Sequence, residues 1–187
     1  MRWGLVLFLL LLAGPVHAGR EHIGDLRVAI VDQDILISFA LKNGFTGKIE
    51  RDIHDGIEKD FYYYVLLSRK HEQWFDKEIV AKTIRHTVKY DTLKKIYTVR
   101  RNEGVSLTEQ IFDQMEPMRA FVTTETRFPL AKRSDMQPVD RYFVRVKGQM
   151  RASQVPLYLD RLLFFIPFLD LDTPWIQSRS FYAESTE

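Results

Sequence analysis

The alternation of apolar and polar side chains over residues 142–151 is the feature that most constrains the fold. A period of two places successive side chains on opposite faces of an extended strand, which no helix does. One face carries Tyr142, Val144, Val146 and Met150, and the other carries Arg145, Lys147, Gln149 and Arg151, with Phe143 as the apolar exception. We therefore expect a strand of an antiparallel sheet with one buried face and one face in water.

Further apolar, β-branched runs predict the remaining strands. They cover residues 26–31, 35–41, 57–68, 79–90, 96–99 and 118–128. The run at 57–68 is dense in aromatic side chains, which indicates a strand covered on both faces. No strand–helix–strand rhythm separates the runs, so a parallel sheet is not expected. We predict a mainly β, α+β fold: an antiparallel β-sandwich, Ig-like in architecture, with two short inserted helices.

The first of these helices is predicted at residues 46–55. Ile49 and Ile53 recur four residues apart with charged residues between them. That spacing places both on one narrow stripe of a surface helix. Gly56 follows where a left-handed C-terminal cap would fall.

The second helix is expected to begin at Ser106, because Ser106 and Glu109 have the spacing of a capping box. Leu107, Ile111 and Met115 would form its apolar face. Pro117 would end it, since proline cannot continue a helix interior.

The first eighteen residues have the organisation of a secretory signal peptide. Arg2 precedes an apolar run over residues 4–14, Pro15 interrupts it, and small residues at positions 16 and 18 suit signal peptidase. We expect cleavage after Ala18 and a periplasmic mature protein. Because a membrane-spanning helix needs about 20 residues, an uncleaved N-terminal anchor is the less favoured alternative. Membrane contact would then occur only through this segment.

The mature chain has the size and composition of one globular domain. We place a short lead at 19–25, a single domain at 26–183 and a tail at 184–187. No cysteine occurs, which excludes disulfides, thiol chemistry and a lipoprotein anchor. The formal net charge of +2 comes from dispersed basic and acidic residues, so no nucleic-acid partner is expected.

Several stretches, taken in order, resemble one bacterial family. They are LRVAIVDQDILISFAL (26–41), the helix before Gly56, WFDKEI (74–79), VKYDTLKKIYTV (88–99), SLTEQIF (106–112) and FFIPFLDLDTPW (164–175). With this order the chain resembles the exported family described as domain of unknown function 4390, over about residues 26–182. The resemblance implies a Gram-negative envelope protein of one small β-rich domain, with an envelope partner such as a membrane sensor histidine kinase. It implies no catalytic residue, because the shared motifs carry no known chemistry.

The residues show no catalytic constellation, so we expect a protein that is not an enzyme and has no cofactor. The histidines of the mature chain are His22, His54, His71 and His86, and none has a second ligand at metal-binding spacing. Asp170 and Asp172 lie two apart and could share a hard cation. Too few further oxygen ligands follow them, so a turn at 172–175 is favoured and a metal is not expected.

Aromatic side chains are the remaining candidates for a functional surface. One set is Tyr62, Tyr63, Tyr64, Trp74 and Phe75, which indicates a partner-binding edge, although the same residues are equally suited to filling a strand. A second set is Phe164, Phe165, Phe168 and Trp175, in the apolar stretch 162–175. For that stretch, burial at the open end of the sandwich is favoured over an exposed lip.

These observations predict a binding or accessory module that engages an envelope protein. The alternative is a carrier or chaperone that holds a lipid, another apolar ligand or a client in a groove near residues 162–175. A hydrolase with an unrecognised site ranks last, because no nucleophile with its base is visible.

The signal peptide and the carrier alternative can be tested by one measurement. We expect native mass spectrometry of the full-length protein, expressed into a periplasm and gently purified, to give a ligand-free mass beginning at Gly19. A mass that retains residues 1–18 would contradict cleavage. An added mass that matches a small apolar molecule would favour the carrier.

Overall fold

The computed structural model of the protein describes residues 19–72, 74–152 and 169–183. Within these ranges the chain forms eleven β-strands and two α-helices. The strands are β1 (His22–Val31), β2 (Asp34–Lys42), β3 (Lys59–Arg69), β4 (Lys77–Asp91), β5 (Ile96–Glu103), β6 (Ser106–Phe112), β7 (Thr124–Lys132), β8 (Arg141–Ala152), β9 (Leu169–Asp172), β10 (Ile176–Gln177) and β11 (Phe181–Tyr182). The helices are α1 (Gly47–His54) and α2 (Met115–Thr123), and a 3₁₀ turn lies at Arg133–Asp135.

The strands form two antiparallel sheets that share one core. The small sheet has the order β1-β2-β7. The large sheet has the order β10-β8-β3-β4-β5-β6, and β9 and β11 also pair with β8. The predicted mainly β, antiparallel sandwich with two short helices is therefore confirmed. β1 begins at His22, inside the predicted lead of residues 19–25.

The core lies between the inner faces of the two sheets. In β3, Phe61, Tyr63, Val65 and Leu67 are 0–1% exposed. Phe39 of β2 reaches Tyr63 with ring centroids 5.2 Å apart. The intervening side chains of β3, from Tyr62 to Leu66, are only half-buried. The expectation that β3 is covered on both faces was therefore wrong, because only one face meets the small sheet.

The alternation that predicts β8 is found in the structure. Tyr142, Val144, Val146 and Met150 are 0–1% exposed. Phe143, on the other face, is also buried. The Arg145 guanidinium lies over its ring at 5.5 Å, so an arginine covers the one apolar side chain of the polar face.

Helix α1 has the C-terminal cap that its sequence predicts, and it also has an N-cap. The Thr46 hydroxyl accepts from the Ile49 N–H at 3.4 Å at the N-terminus. At the C-terminus Gly56 has a φ of +85°. The N–H groups of Ile57 and Gly56 donate to the carbonyls of Asp52 and Ile53, both at 2.9 Å. These two bonds form a Schellman motif, which satisfies carbonyls that the helix leaves unpaired.

The prediction for residues 106–128 was wrong as far as residue 123, since a helix was expected from Ser106 to Pro117 and a strand over 118–128. Residues 106–112 form strand β6, and the helix follows at Met115–Thr123. Gly104, with a φ of +62°, occupies the first position of the two-residue turn that joins β5 to β6. Pro117 lies in the first turn of α2, where its missing N–H has no helical partner to lose. Pro117 therefore lies at the start of α2 and does not end a helix.

A charged cluster attaches α1 to the large sheet. Lys59 of β3 is 2% exposed, and its Nζ lies 2.7 Å from Asp52 Oδ2 and 2.6 Å from Asp170 Oδ2. Lys48 Nζ also reaches Asp52, at 2.9 Å. A buried ammonium needs such partners, because an uncompensated charge in the interior is strongly destabilising.

We predict that Asp52 contributes to acid lability. Hydrogen bonds from Lys59 and then Lys48 hold the pKa of Asp52 below its ordinary value of 3.8. Its stabilisation is therefore complete above the unfolded pKa and is lost as pH falls through the lower folded pKa. Asp52→Asn should lower the free energy of unfolding by about 1–3 kcal/mol at pH 7 and by little near pH 2. Urea unfolding across this range measures the effect.

Asp55→Asn is the matched control, since Asp55 lies at the end of the same helix and is exposed. An equal pH dependence for the two variants would contradict a specific role for Asp52.

Candidate interaction surface

The three consecutive tyrosines of β3 do not share one surface. Tyr63 is 1% exposed, and its hydroxyl donates to the Val122 carbonyl at 2.8 Å. Burial raises the pKa of Tyr63 far above its ordinary value of 10. This tyrosine is therefore a core residue, and its prediction as a partner-binding residue was wrong.

Tyr62 and Tyr64 lie on the outer face of the large sheet. Their rings stack with centroids 6.3 Å apart and planes at 9°. The guanidinium groups of Arg85 and Arg151 lie over the Tyr62 ring at 5.6 Å and 5.5 Å. Burial, followed by the charge of Asp60, raises the pKa of Tyr62. The outer face thus presents two half-buried aromatic rings, and arginine side chains already cover that of Tyr62.

Asp60 holds this outer-face arrangement in place. Arg85 donates to both of its carboxylate oxygens, at 3.0 Å and 2.6 Å. The Thr87 hydroxyl donates to Oδ1 at 2.6 Å. Such a bidentate pair fixes the arginine over Tyr62. Hydrogen bonding to Asp60 raises the pKa of Arg85, so the Arg85 guanidinium stays charged.

Trp74 and Phe75 are the most exposed aromatic side chains among the residues described. They lie between β3 and β4 and are 80% and 95% exposed. Large apolar side chains are usually inside a fold, and two adjacent ones at a loop tip are unusual. The structure therefore agrees with their prediction as surface residues.

Two further exposed residues lie at the same end of the large sheet. Val139, 85% exposed, precedes β8, and Tyr182, 40% exposed, pairs with the beginning of β8. The β3–β8 register places Arg69 opposite Tyr142, so these segments meet where β3 ends and β4 begins. We call Trp74, Phe75, Val139 and Tyr182 the aromatic end.

Hydrogen bonds fix the frame around the aromatic end. The Lys70 N–H donates to the Arg141 carbonyl at 2.8 Å, and Arg69 Nη1 donates to Asp140 at 2.9 Å. Arg141 Nε donates to the Tyr182 hydroxyl at 2.7 Å. That bond raises the pKa of Arg141. The segments that carry the exposed side chains are thus tied to one another.

The second predicted aromatic set is only partly described. Phe164, Phe165 and Phe168 lie outside the described residues. Trp175 is 43% exposed between β9 and β10, which pair with Arg151–Gln149 and Val146–Arg145 of β8. Trp175 therefore lies beside the middle of β8, away from the aromatic end.

The two aspartates considered for a metal contact different lysines. Asp170 Oδ2 lies 2.6 Å from Lys59 Nζ, and Asp172 Oδ1 lies 2.8 Å from Lys147 Nζ. Burial raises the pKa of Asp172, but the hydrogen bonds from Lys147 and Gln149 and the nearby positive charges together outweigh it. The pKa of Asp172 therefore lies below its ordinary value. Among the described residues, no group of three or more His, Cys, Asp or Glu could hold a metal. A cation at either aspartate would have to displace an ammonium group.

His86 is a buried polar residue whose role the sequence did not reveal. It is 1% exposed, and its Nδ1 lies 3.2 Å from the Val122 carbonyl. Its Nε2 lies 3.1 Å from Glu125 Oε1, without the alignment of a hydrogen bond. Arg101 Nη2 donates to the other Glu125 oxygen at 2.9 Å. This cluster links β4 and β5 to α2 and β7, and both His86 and Glu125 are buried in it.

The surface of the described residues includes two grooves. One, of about 920 Å³, runs between β1 and the C-terminal strand and is lined by residues 26–30 and 178–182. The other, of about 440 Å³, lies against β4 and the β5–β6 turn, with Tyr62 and Arg85 in its wall. Neither contains the cluster around His86.

Comparison with known proteins identifies one family. The family model described as domain of unknown function (DUF4390) matches residues 19–179, which is most of the chain. No curated protein and no solved structure matches.

We predict that substitutions at Trp74 and Tyr63 differ in their effect on stability. Trp74→Ala should change the free energy of unfolding by less than about 0.5 kcal/mol, because the side chain is 80% exposed. Tyr63→Phe should lower it by about 1–2 kcal/mol, since the Val122 carbonyl loses a buried donor. Urea unfolding at pH 7 measures both. An equal loss for Trp74→Ala would mean that Trp74 packs into the fold.

Proposed function

Because the chain belongs to the family described as domain of unknown function (DUF4390), which specifies no activity, we propose from the geometry that it is a binding module for a protein partner of the cell envelope. The observation that carries this proposal is the exposure of Trp74 and Phe75, at 80% and 95%. The partner would be contacted through the aromatic end.

Exposed aromatic side chains on the loop between β3 and β4 favour partner binding for an energetic reason. Tryptophan and tyrosine are the residues that most often dominate the free energy of an interface. Each buries a large apolar area while losing few rotamers. The bonds from Lys70 to Arg141 and from Arg69 to Asp140 fix the end of β3 from which this loop leaves, which limits the ordering that binding would require.

The place of action is proposed from the sequence. Residues 1–18 have a signal-peptide pattern and lie outside the described residues. In the part of the chain that the structure describes, no helix is long and apolar enough to cross a membrane. An exported module of this kind would meet the periplasmic portion of an envelope protein. A membrane sensor kinase is the partner class that the family resemblance suggests.

No catalytic step is included in this proposal. His86 and Glu125 are enclosed by the sandwich, and a catalytic base must reach the proton it abstracts. The aspartates at 170 and 172 are paired with lysines.

A second candidate function is that of a carrier, which the groove between β1 and β11 favours. Leu26, Val28, Ile30 and Phe181 are among its lining residues and pack partly against the core. Arg27 and Arg179 lie in the same lining. A volume of about 920 Å³ is in the range of small-molecule sites. An anionic apolar ligand retained in the native mass spectrum would favour this function over partner binding.

We predict that a photo-crosslinker replacing Phe75 will capture an envelope protein in intact cells. The same crosslinker at Leu93 is the matched control, because Leu93 is 93% exposed in the turn at the opposite end of β4. We expect a defined crosslink at position 75, strongly reduced by Trp74→Ala, and none at position 93. Mass spectrometry of the crosslinked band identifies the partner.

Equal crosslinking at both positions would overturn the proposed surface, because it would reflect general exposure. A crosslink at position 75 that Trp74→Ala leaves unchanged would assign the contact to a neighbouring surface.

A further inference from the structure

Strand β6 is an edge strand with one free side. Among the described residues it pairs only with β5 and ends the large sheet. Its residues 106–111 are exposed, with Leu107 at 64% and Ile111 at 60%. Seven residues at about 3.3 Å each give a free edge of roughly 23 Å. The unpaired N–H and C=O groups of such an edge can accept another strand.

Both edges of the small sheet carry features that oppose strand addition, and β6 has neither a register shift nor a proline. β1 is interrupted by a register shift between Gly24 and Arg27. β7 contains Pro129 and pairs with β2 through two shifts. The β5–β6 pairing is regular throughout, and residues 106–112 contain no proline and no lysine. Proteins often protect a long edge by such irregularities, by proline or by charge, and on β6 the only charge is that of Glu109.

The chemistry of the outer face of β6 specifies what could pair with it. Leu107, Glu109 and Ile111 alternate along one face. Glu109 lies opposite Arg100 in the β5–β6 register, but Arg100 forms its ion pair with Glu58, at 3.2 Å. Among the described residues Glu109 forms no ion pair within 4 Å. The edge therefore presents two apolar side chains with a carboxylate between them that has no ion pair within 4 Å among the described residues.

A second copy of this chain does not complement that pattern. An antiparallel β6–β6 pair that places Leu107 opposite Ile111 also places Glu109 opposite Glu109. An in-register parallel pair brings the same two carboxylates together. Like charges directly across a pair of strands are destabilising. Shifting the register by two residues removes the repulsion but places Glu109 opposite an apolar side chain.

We propose that β6 binds an extended segment of a partner protein, which adds a strand to the large sheet and carries a basic residue between two apolar ones. Its Lys or Arg lies opposite Glu109, and its apolar residues lie opposite Leu107 and Ile111. The intervening side chains are polar, because Thr108 and Gln110 on the other face of β6 are polar and exposed. Main-chain hydrogen bonds supply affinity, and the alternating side chains supply specificity.

The test uses the full mature protein and a capped synthetic peptide, Thr-Val-Thr-Lys-Thr-Val-Thr. Titration followed by amide chemical shifts should perturb residues of β6 and protect its amides from exchange. The matched control peptide has Glu in place of Lys, and we expect it to bind about five- to tenfold more weakly. Glu109→Lys should reverse this preference, whereas Glu78→Lys, an equal charge change at an exposed position of β4, should leave it unchanged.

Several results would overturn the inference. A failure of Glu109→Lys to reverse the preference would show that charge at β6 does not select the strand. Slow exchange, in the free monomer, of those β6 amides that do not bond to β5 would mean that another part of this chain already covers the edge. A dimer that Ile111→Lys dissociates would make a second copy the occupant.

This inference does not depend on the aromatic end, and the two proposals can fail separately. Trp74→Ala should leave peptide binding unchanged, and Glu109→Lys should leave the crosslink at position 75 unchanged. Loss of both functions in either variant, with unfolding excluded by the amide spectrum, would show that one contact surface spans both places.

Discussion

Burial of one face of β3 is the constraint on which the rest of the structure depends. β3 pairs along its length with β4 on one side and with β8 on the other. Its inward side chains are 0–1% exposed, and each large apolar side chain contributes about 1.5–3 kcal/mol when buried. A slip of one residue would exchange Tyr63 for Tyr62 in the core and turn the inward apolar side chains of β3 to the outer face. Burial of the correct face of β3 therefore fixes its register with β4 and β8, and with it the register of the large sheet.

The core also contains polar groups, and their partners explain where α2 lies. The Val122 carbonyl belongs to the last turn of α2, where helical carbonyls have no partner within the helix. Tyr63 donates to it from β3, and His86 lies 3.2 Å from it on β4. Two side chains of the large sheet thus satisfy one carbonyl of the helix that connects the sheets. Glu125 follows three residues later, on β7, and accepts a hydrogen bond from Arg101 of β5. The crossing from one sheet to the other is therefore held by polar contacts as well as by packing.

Residues 106–123 show why local patterns were insufficient for part of the fold. Leu107 and Ile111 are four apart, a spacing that places side chains on one face of a helix and also on one face of a strand. The sequence therefore did not distinguish the two, and the spacing of Ser106 and Glu109 favoured the wrong one. Pairing with β5 decides for a strand, because the backbone groups of β5 need partners. By contrast, α1 could be predicted, since Gly56 allows the left-handed cap that only a helix end requires.

The sequence by itself determined the β class, the strand at residues 142–151 and the stripe of α1, because these depend on periodicity within one segment. It also indicated Trp74 and Phe75 as surface residues from their polar surroundings. Only the tertiary structure decided that Tyr63 is buried while Tyr62 and Tyr64 face outward, since that depends on which face of β3 meets the small sheet. It likewise placed β6 at an open edge. Exposure of a face or an edge is a property of what packs against it, and that partner lies far away in the chain.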